Sequence, residues 1–154
     1  MLIGDLEDRK STSGYIILMG KSPICWNSKK QSVVALSSAE AEYIGASLCI
    51  RKISWIRNIL SELLNFRKPI LIYTDNLPSL KSMENGYLNP KMKHIAIKYN
   101  FNRDNIEKKL ITLKYIESKK MLADILTKYA DNNSIYYFAN QIFSIPKNRF
   151  EGEC

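Results

Sequence analysis

An α/β fold is the class this sequence predicts, and three features of its hydropathy predict it. Short β-rich apolar runs stand at residues 14–19, 70–74 and 110–116. A long stretch after residue 37 instead repeats apolar residues every three or four positions, the helical period. The two patterns alternate along the chain, which is the signature of helices layered on a sheet.

The first two strands read as a hairpin, Gly14 to Met19 and Ile24 to Trp26, broken by Gly20 and by Ser22-Pro23. Ser37-Ser-Ala-Glu40 has capping-box spacing and starts a helix. Behind it Ala39, Tyr43, Ala46, Ile50, Ile53, Ile56, Leu60 and Leu64 draw one apolar stripe, with Arg57 at its edge snorkelling its charge outward. Pro69 closes that region, and Ile70 to Thr74 is an apolar run too short for a helix, so it reads as a buried strand. A short helix from Pro78 to Glu84 is stopped by Asn85-Gly86. Residues 91–109 suggest an amphipathic helix with a basic flank, carrying Ile95, Tyr99 and Ile106 on its apolar side. Leu110 to Ile116 reads as a strand, Met121 to Leu126 as a helix from its i, i+4 apolar pairs, and Tyr136 to Phe143 as a last helix. Pro146 to Cys154 is expected to fray.

Composition bounds the function. The 154 residues fit one domain with a real core. A 45% hydrophobic and 25% charged composition with 6 Gly and 5 Pro excludes a wholly disordered or collagenous chain. No apolar run approaches the ~20 residues of a bilayer span, and no signal peptide is recognisable, so an intracellular location, cytoplasm or nucleus, is expected. Cys25, Cys49 and Cys154 are scattered and His94 is the single histidine, so a paired Cys/His zinc framework is excluded. Twenty-three Lys and Arg against 15 Asp and Glu leave a net charge of +8, which suits an anionic partner and suits a solvated surface equally well.

Three carboxylates fall where ligand sites form. Glu42 is in the first turns of the long helix, on its stripe side; Asp75 follows a buried strand; Asp124 is in the helix after the last strand. Converging carboxylates hold Mg²⁺, a hard cation that takes oxygen ligands, and a pair of such ions can stabilise both oxygens of a phosphodiester displacement. Taken singly, each has a plainer role: Glu40 and Asp75 as helix caps, Glu42 and Asp124 as solvated surface, His94 as a packing or basic-patch residue. Spacing does not decide between these.

The motifs are more specific. Asp8-Arg-Lys-Ser-Thr-Ser-Gly-Tyr15, Ser28-Lys-Lys-Gln31, Val34-Ala-Leu-Ser-Ser-Ala-Glu-Ala-Glu-Tyr43, Ile72-Tyr-Thr-Asp-Asn76, Lys93-His-Ile95 and Leu122-Ala-Asp-Ile-Leu-Thr-Lys128 stand in order along the chain. Together they resemble the ribonuclease H domain of copia-type (LTR) retrotransposon Pol polyproteins, over roughly residues 4 to 128.

That resemblance implies a ribonuclease H-like fold, a mixed central β-sheet flanked by helices, over residues 1–130, with a C-terminal helix and tail over 131–154. It implies hydrolysis of the RNA strand of an RNA–DNA hybrid with two Mg²⁺ ions, Mn²⁺ being an alternative. The family's last three catalytic carboxylates map onto Glu42, Asp75 and Asp124 as metal ligands, and Lys29, Lys30, Asn76, Lys93 and His94 are expected to bind nucleic acid. The reverse transcriptase domain of the parent polyprotein is the implied protein partner.

In the family a Tyr-x-Asp-x-Asp-Trp-Ala segment forms the first strand and supplies the first catalytic Asp, just before the Gly-Asp that matches Gly4-Asp5. The chain begins inside that segment. The expectation is therefore a domain truncated at its N-terminus, lacking most of the first strand, with impaired catalysis. Leu77, Ala96, Asn100 and Tyr129 also replace residues the family commonly has. The competing expectation is a non-catalytic nucleic-acid-binding or interaction module.

Overall fold

The computed structural model describes residues 10–32, 34–35, 37–85 and 96–143. Within them the α/β class is found. Four strands and four helices follow one another as β1 (Thr12–Met19), β2 (Ser22–Lys30), α1 (Ser38–Leu64), β3 (Ile70–Thr74), α2 (Leu77–Asn85), α3 (Ala96–Glu107), β4 (Ile111–Tyr115) and α4 (Asn132–Phe143). Two 3₁₀ turns, Ser118–Lys120 and Leu122–Leu126, join β4 to α4.

β1 and β2 form the expected hairpin; β1 starts earlier than its apolar run and ends with it at Met19, while β2 extends beyond its run at both ends. Gly20, at φ +64°, supplies the left-handed residue its two-residue turn requires. The register shifts between Ile17 and Leu18, opposite Pro23, which has no N–H to give to a ladder. β3 and β4 pair in parallel, Ile70 with Ile111 through Thr74 with Tyr115. The described strands thus make two two-stranded sheets, one antiparallel and one parallel, and α1 packs beside both.

Helix α1 starts where the capping box places it. The Ser37 hydroxyl accepts from the Glu40 backbone N–H at 3.2 Å, and Asn65 ends the helix at φ 50° with its N–H on the Leu60 carbonyl. Tyr43, Ile50 and Ile53 of the stripe are buried, joined by Ile44 and Cys49 beside it. The stripe stops short of its expected end: Leu64 is 71% exposed. Arg57 turns outward only in part: its Nη2 donates to the Arg67 carbonyl at 3.4 Å, while its Nε is buried without a hydrogen-bond partner among the described residues.

The core joins α1 to Ile17 of β1, Ile72 of β3, Leu80 and Met83 of α2, Tyr99 of α3, and Ile111 and Leu113 of β4. Burying such side chains is what holds the layers together, at roughly 1.5–3 kcal/mol for each fully buried large residue. Tyr43 stacks on Tyr99 with ring centroids 5.9 Å apart. The α1–α3 contact is also polar: Asn102, fully buried, donates to the Ser47 hydroxyl at 2.8 Å, and Ser54 donates to Asn105 at 2.8 Å.

Three expectations are corrected. Met121 to Leu126 is not an α-helix; Asp124 N–H bonds to Met121 O and Thr127 N–H to Asp124 O, three residues back, so the segment winds as 3₁₀ turns. β3 is not buried throughout: Ile72 is buried, while Leu71 and Tyr73 on its other face are exposed. The last helix begins at Asn132, four residues before Tyr136, because the Asp131 carboxylate caps the Ser134 N–H at 2.8 Å. Residues 91–95 and 146–154, and with them Lys93, His94 and the frayed tail, lie outside the described residues.

Candidate active site

The two sheets face each other across a cavity of about 550 Å³ that one face of α1 closes. Glu42, Asp75 and Asp124 all line it. Each arrives for a local reason. Glu42 is held by the capped first turns of α1. Asp75 follows the last residue of β3, where the strand gives way to the α2 turn. Asp124 is carried on the second 3₁₀ turn, which packs against β1 so closely that a Cβ at Gly14 would meet Thr127 Cγ2 at 2.7 Å and Leu126 Cβ at 2.8 Å. Glycine at that position is what admits the turn.

The three carboxylates share an electrostatic field. Crowding by protein atoms pushes the Glu42 carboxyl above its ordinary value, the negative charges of Asp75 and Asp124 push it the same way, and Lys128 pulls against them. Lys128 Nζ lies 2.9 Å from Asp124 Oδ2. Burial works against its charge, but the bond to Asp124 and the charges of Asp124, Asp75 and Glu42 outweigh it and hold the ammonium above its ordinary value. Glu42 itself reaches solvent, so it lies at the rim of the cavity and not within the buried stripe where the helical period places it.

The nucleic-acid candidates fare differently. Asn76 is a helix cap, its side-chain oxygen accepting from Ser79 N–H at 2.8 Å, so the cap role weighed for Asp75 falls to its neighbour. Lys29 and Lys30 are exposed at the end of β2. Gln31, next along, is a site residue that its polarity hides: it is buried and its amide donates to Ser13 Oγ at 2.5 Å and to Ala41 O at 2.8 Å, tying β1 to the first turn of α1 beside Glu42.

Carboxylate oxygens suit a hard divalent cation, and Mg²⁺ in particular takes one or two carboxylates and completes its shell with water and substrate phosphate. Glu42 and Asp75 supply such a pair at the cavity rim, while Asp124 is engaged by Lys128. Among the described residues no group of three or more His, Cys, Asp and Glu is gathered closely enough to hold a metal by itself.

Fold and site together define an α/β domain with a carboxylate-lined cleft between two half-sheets. Over 90% of its length the chain is 37% identical to the retrovirus-related Pol polyprotein from transposon RE1 and 36% identical to that from transposon RE2, both of Arabidopsis thaliana. Over 86% of its length it is 32% identical to the retrovirus-related Pol polyprotein from transposon TNT 1-94 of Nicotiana tabacum. The chain spans about a tenth of the length of each of these relatives. Its homologues are thus retrotransposon Pol polyproteins. No family model matches the chain, and no solved structure does. No helix among the described residues is long and apolar enough to cross a membrane.

Proposed function

We propose that this chain is a retrotransposon-derived domain of the ribonuclease H kind, whose ancestral reaction is hydrolysis of the RNA strand of an RNA–DNA hybrid. The observation that carries the reading is the meeting of Glu42, Asp75 and Asp124, far apart in sequence, on the wall of one cavity. Bound there, Mg²⁺ would activate a water and neutralise charge on the cleaved phosphate. Glu42 and Asp75 are the residues to hold it. The Glu42 carboxyl, raised first by crowding and then by the charge of Asp75, would be eased by a bound cation. Lys128 keeps Asp124 neutralised until then, and Lys29, Lys30 and other surface lysines attract the hybrid backbone. In a polyprotein the natural protein partner is a reverse transcriptase domain.

The ion pair between Lys128 and Asp124 favours a second reading, a domain that binds hybrid without cutting it. Incubating end-labelled RNA–DNA hybrid with the protein in Mg²⁺ separates the two. Cutting of the RNA strand that EDTA stops supports the hydrolytic reading. Salt-sensitive retention of intact hybrid supports the binding module, and neither cutting nor retention removes both.

A further inference from the structure

Helix α1 carries a second apolar stripe, on the side turned away from the cavity. Lys52, Trp55, Ile59 and Leu63 follow one another at helical spacing, and Leu48 stands one turn ahead of Lys52. Trp55 is 55% exposed and Leu63 76%, while Leu48 and Ile59 are half-buried. The Lys52 ammonium lies over the Trp55 ring, 4.1 Å from its centre, so the lysine stem adds to the apolar surface.

The stripe is open because α1 outruns the elements beside it. With 27 residues it is ~40 Å long, whereas β3 and β4, of five residues each, span about 17 Å. The described neighbours also pack on its other sides: Ser13 of β1 meets Gly45, and α3 bonds to Ser47 and Ser54. Ala41 and Ile44, in the first turns, are buried, and large apolar side chains stand exposed on the helix only farther along. Apolar residues exposed in one row, and not scattered singly, mark a contact surface.

The charges beside the stripe select its occupant. Arg51 and Glu62 are exposed on the same flank, about three turns apart, and neither has an ion-pair partner among the described residues. A two-fold axis near residues 56 and 57 lays the helix antiparallel against its own copy and brings that flank against itself. Arg51 of each copy then falls beside Glu62 of the other, and Trp55 beside Ile59. A parallel pairing would instead set Arg51 against Arg51 and Glu62 against Glu62.

We propose that the outer face of α1 is a homodimer interface, in which two copies of this chain pair antiparallel through Trp55, Ile59 and Leu63 while reciprocal Arg51–Glu62 ion pairs fix the register. The contact is small, at the low end of specific interfaces, below about 1,200 Å² in total. The net charge of +8 on each copy also opposes their approach, so the dimer is a weak one, in the micromolar range. No residue of the stripe lines the cavity, so pairing leaves both carboxylate clefts open.

Sedimentation equilibrium of the full chain, from about 1 μM to about 0.5 mM, tests this, and a reversible monomer–dimer equilibrium is expected. Leu63→Glu, at an exposed position outside the core, is expected to weaken the dimer about tenfold or more with circular dichroism unchanged. Arg51→Glu and Glu62→Arg are each expected to weaken self-association roughly fivefold, because symmetry sets like charges opposite one another twice. An equimolar mixture of these two variants is expected to recover the parent affinity, since both ion pairs re-form with their signs exchanged. A chain that stays monomeric throughout, a dimer that a folded Leu63→Glu leaves intact, or a mixture no tighter than its separate variants overturns the proposal. If Leu63→Glu does not fold, the charge-reversal variants decide alone. None of these readouts involves metal or hybrid, so they stand apart from the hydrolytic reading.

Discussion

Lys128 Nζ sits 2.9 Å from Asp124 Oδ2, one helical-type turn along the chain, at the rim of a cavity that Glu42 and Asp75 share. The pair is half-exposed, so its worth to stability is small, of order 0–1 kcal/mol. Its importance is electrostatic. The Lys128 charge also pulls the Glu42 carboxyl down against Asp75 and Asp124.

Lys128→Ala is therefore expected to leave the thermal midpoint nearly unchanged without metal and to tighten Mg²⁺ binding roughly fivefold to tenfold, because a repelling unit charge near the site is gone. Isothermal titration with MgCl₂ checks this. Weaker Mg²⁺ binding in the variant would mean that Lys128 supports the site and does not compete with metal.

The pH dependence of stability follows from Glu42. Its carboxyl is raised above the ordinary value of 4.5 by burial and by Asp75, so the folded state holds its proton more tightly than the unfolded chain. The resulting stabilisation is complete below pH 4.5 and is lost as pH rises through the folded value. Glu42→Gln removes this dependence. Denaturant midpoints measured from about pH 4 to 7 should fall less steeply for the variant than for the parent chain.

Gly14→Ala tests the contact that carries Asp124. The added Cβ meets Thr127 and Leu126 at under 3 Å, so the 3₁₀ turn must move. Overpacking of this kind costs about 1–3 kcal/mol, read as a lower denaturant midpoint, and it should lower any hybrid cleavage as Asp124 shifts with the turn.

Asn102 and Ser47 hold α3 against α1 through a buried bond of 2.8 Å. Ser47→Ala leaves the Asn102 amide buried without that acceptor, which is expected to cost about 1–3 kcal/mol. Asn102→Ala, which removes the amide and leaves a small cavity, is the companion measurement. A double-mutant cycle by chemical denaturation gives the coupling between the two.

Much of this fold is legible in the sequence where one physical signal dominates. Ile70 to Thr74 is short, apolar and bounded by Pro69 and Asp75, and it is a strand. Ser37 and Glu40 have the spacing of a cap, and the helix starts there. Met121 to Leu126 is misread because an i, i+4 apolar pair says nothing about whether the backbone closes on the third or fourth residue. Asn102, Asn105 and Gln31 are hidden for a different reason: a buried amide is satisfied by partners on other elements, and sequence does not name those partners. The candidate site is legible in part. Asp75 after a strand marks itself, the sharing of a cavity by Glu42, Asp75 and Asp124 is a tertiary fact, and the Lys128–Asp124 pair could have been read from its i, i+4 spacing.

The central claim is that these carboxylates support metal-dependent hydrolysis of hybrid RNA, and single-turnover cleavage by the parent chain and by Asp75→Asn in MgCl₂ tests it most directly. The account predicts slow, EDTA-sensitive RNA-strand cutting by the parent, as expected of impaired catalysis, that is lost in Asp75→Asn with circular dichroism unchanged. Cutting that persists undiminished in Asp75→Asn, or a parent chain that leaves the hybrid intact at saturating Mg²⁺, would contradict it.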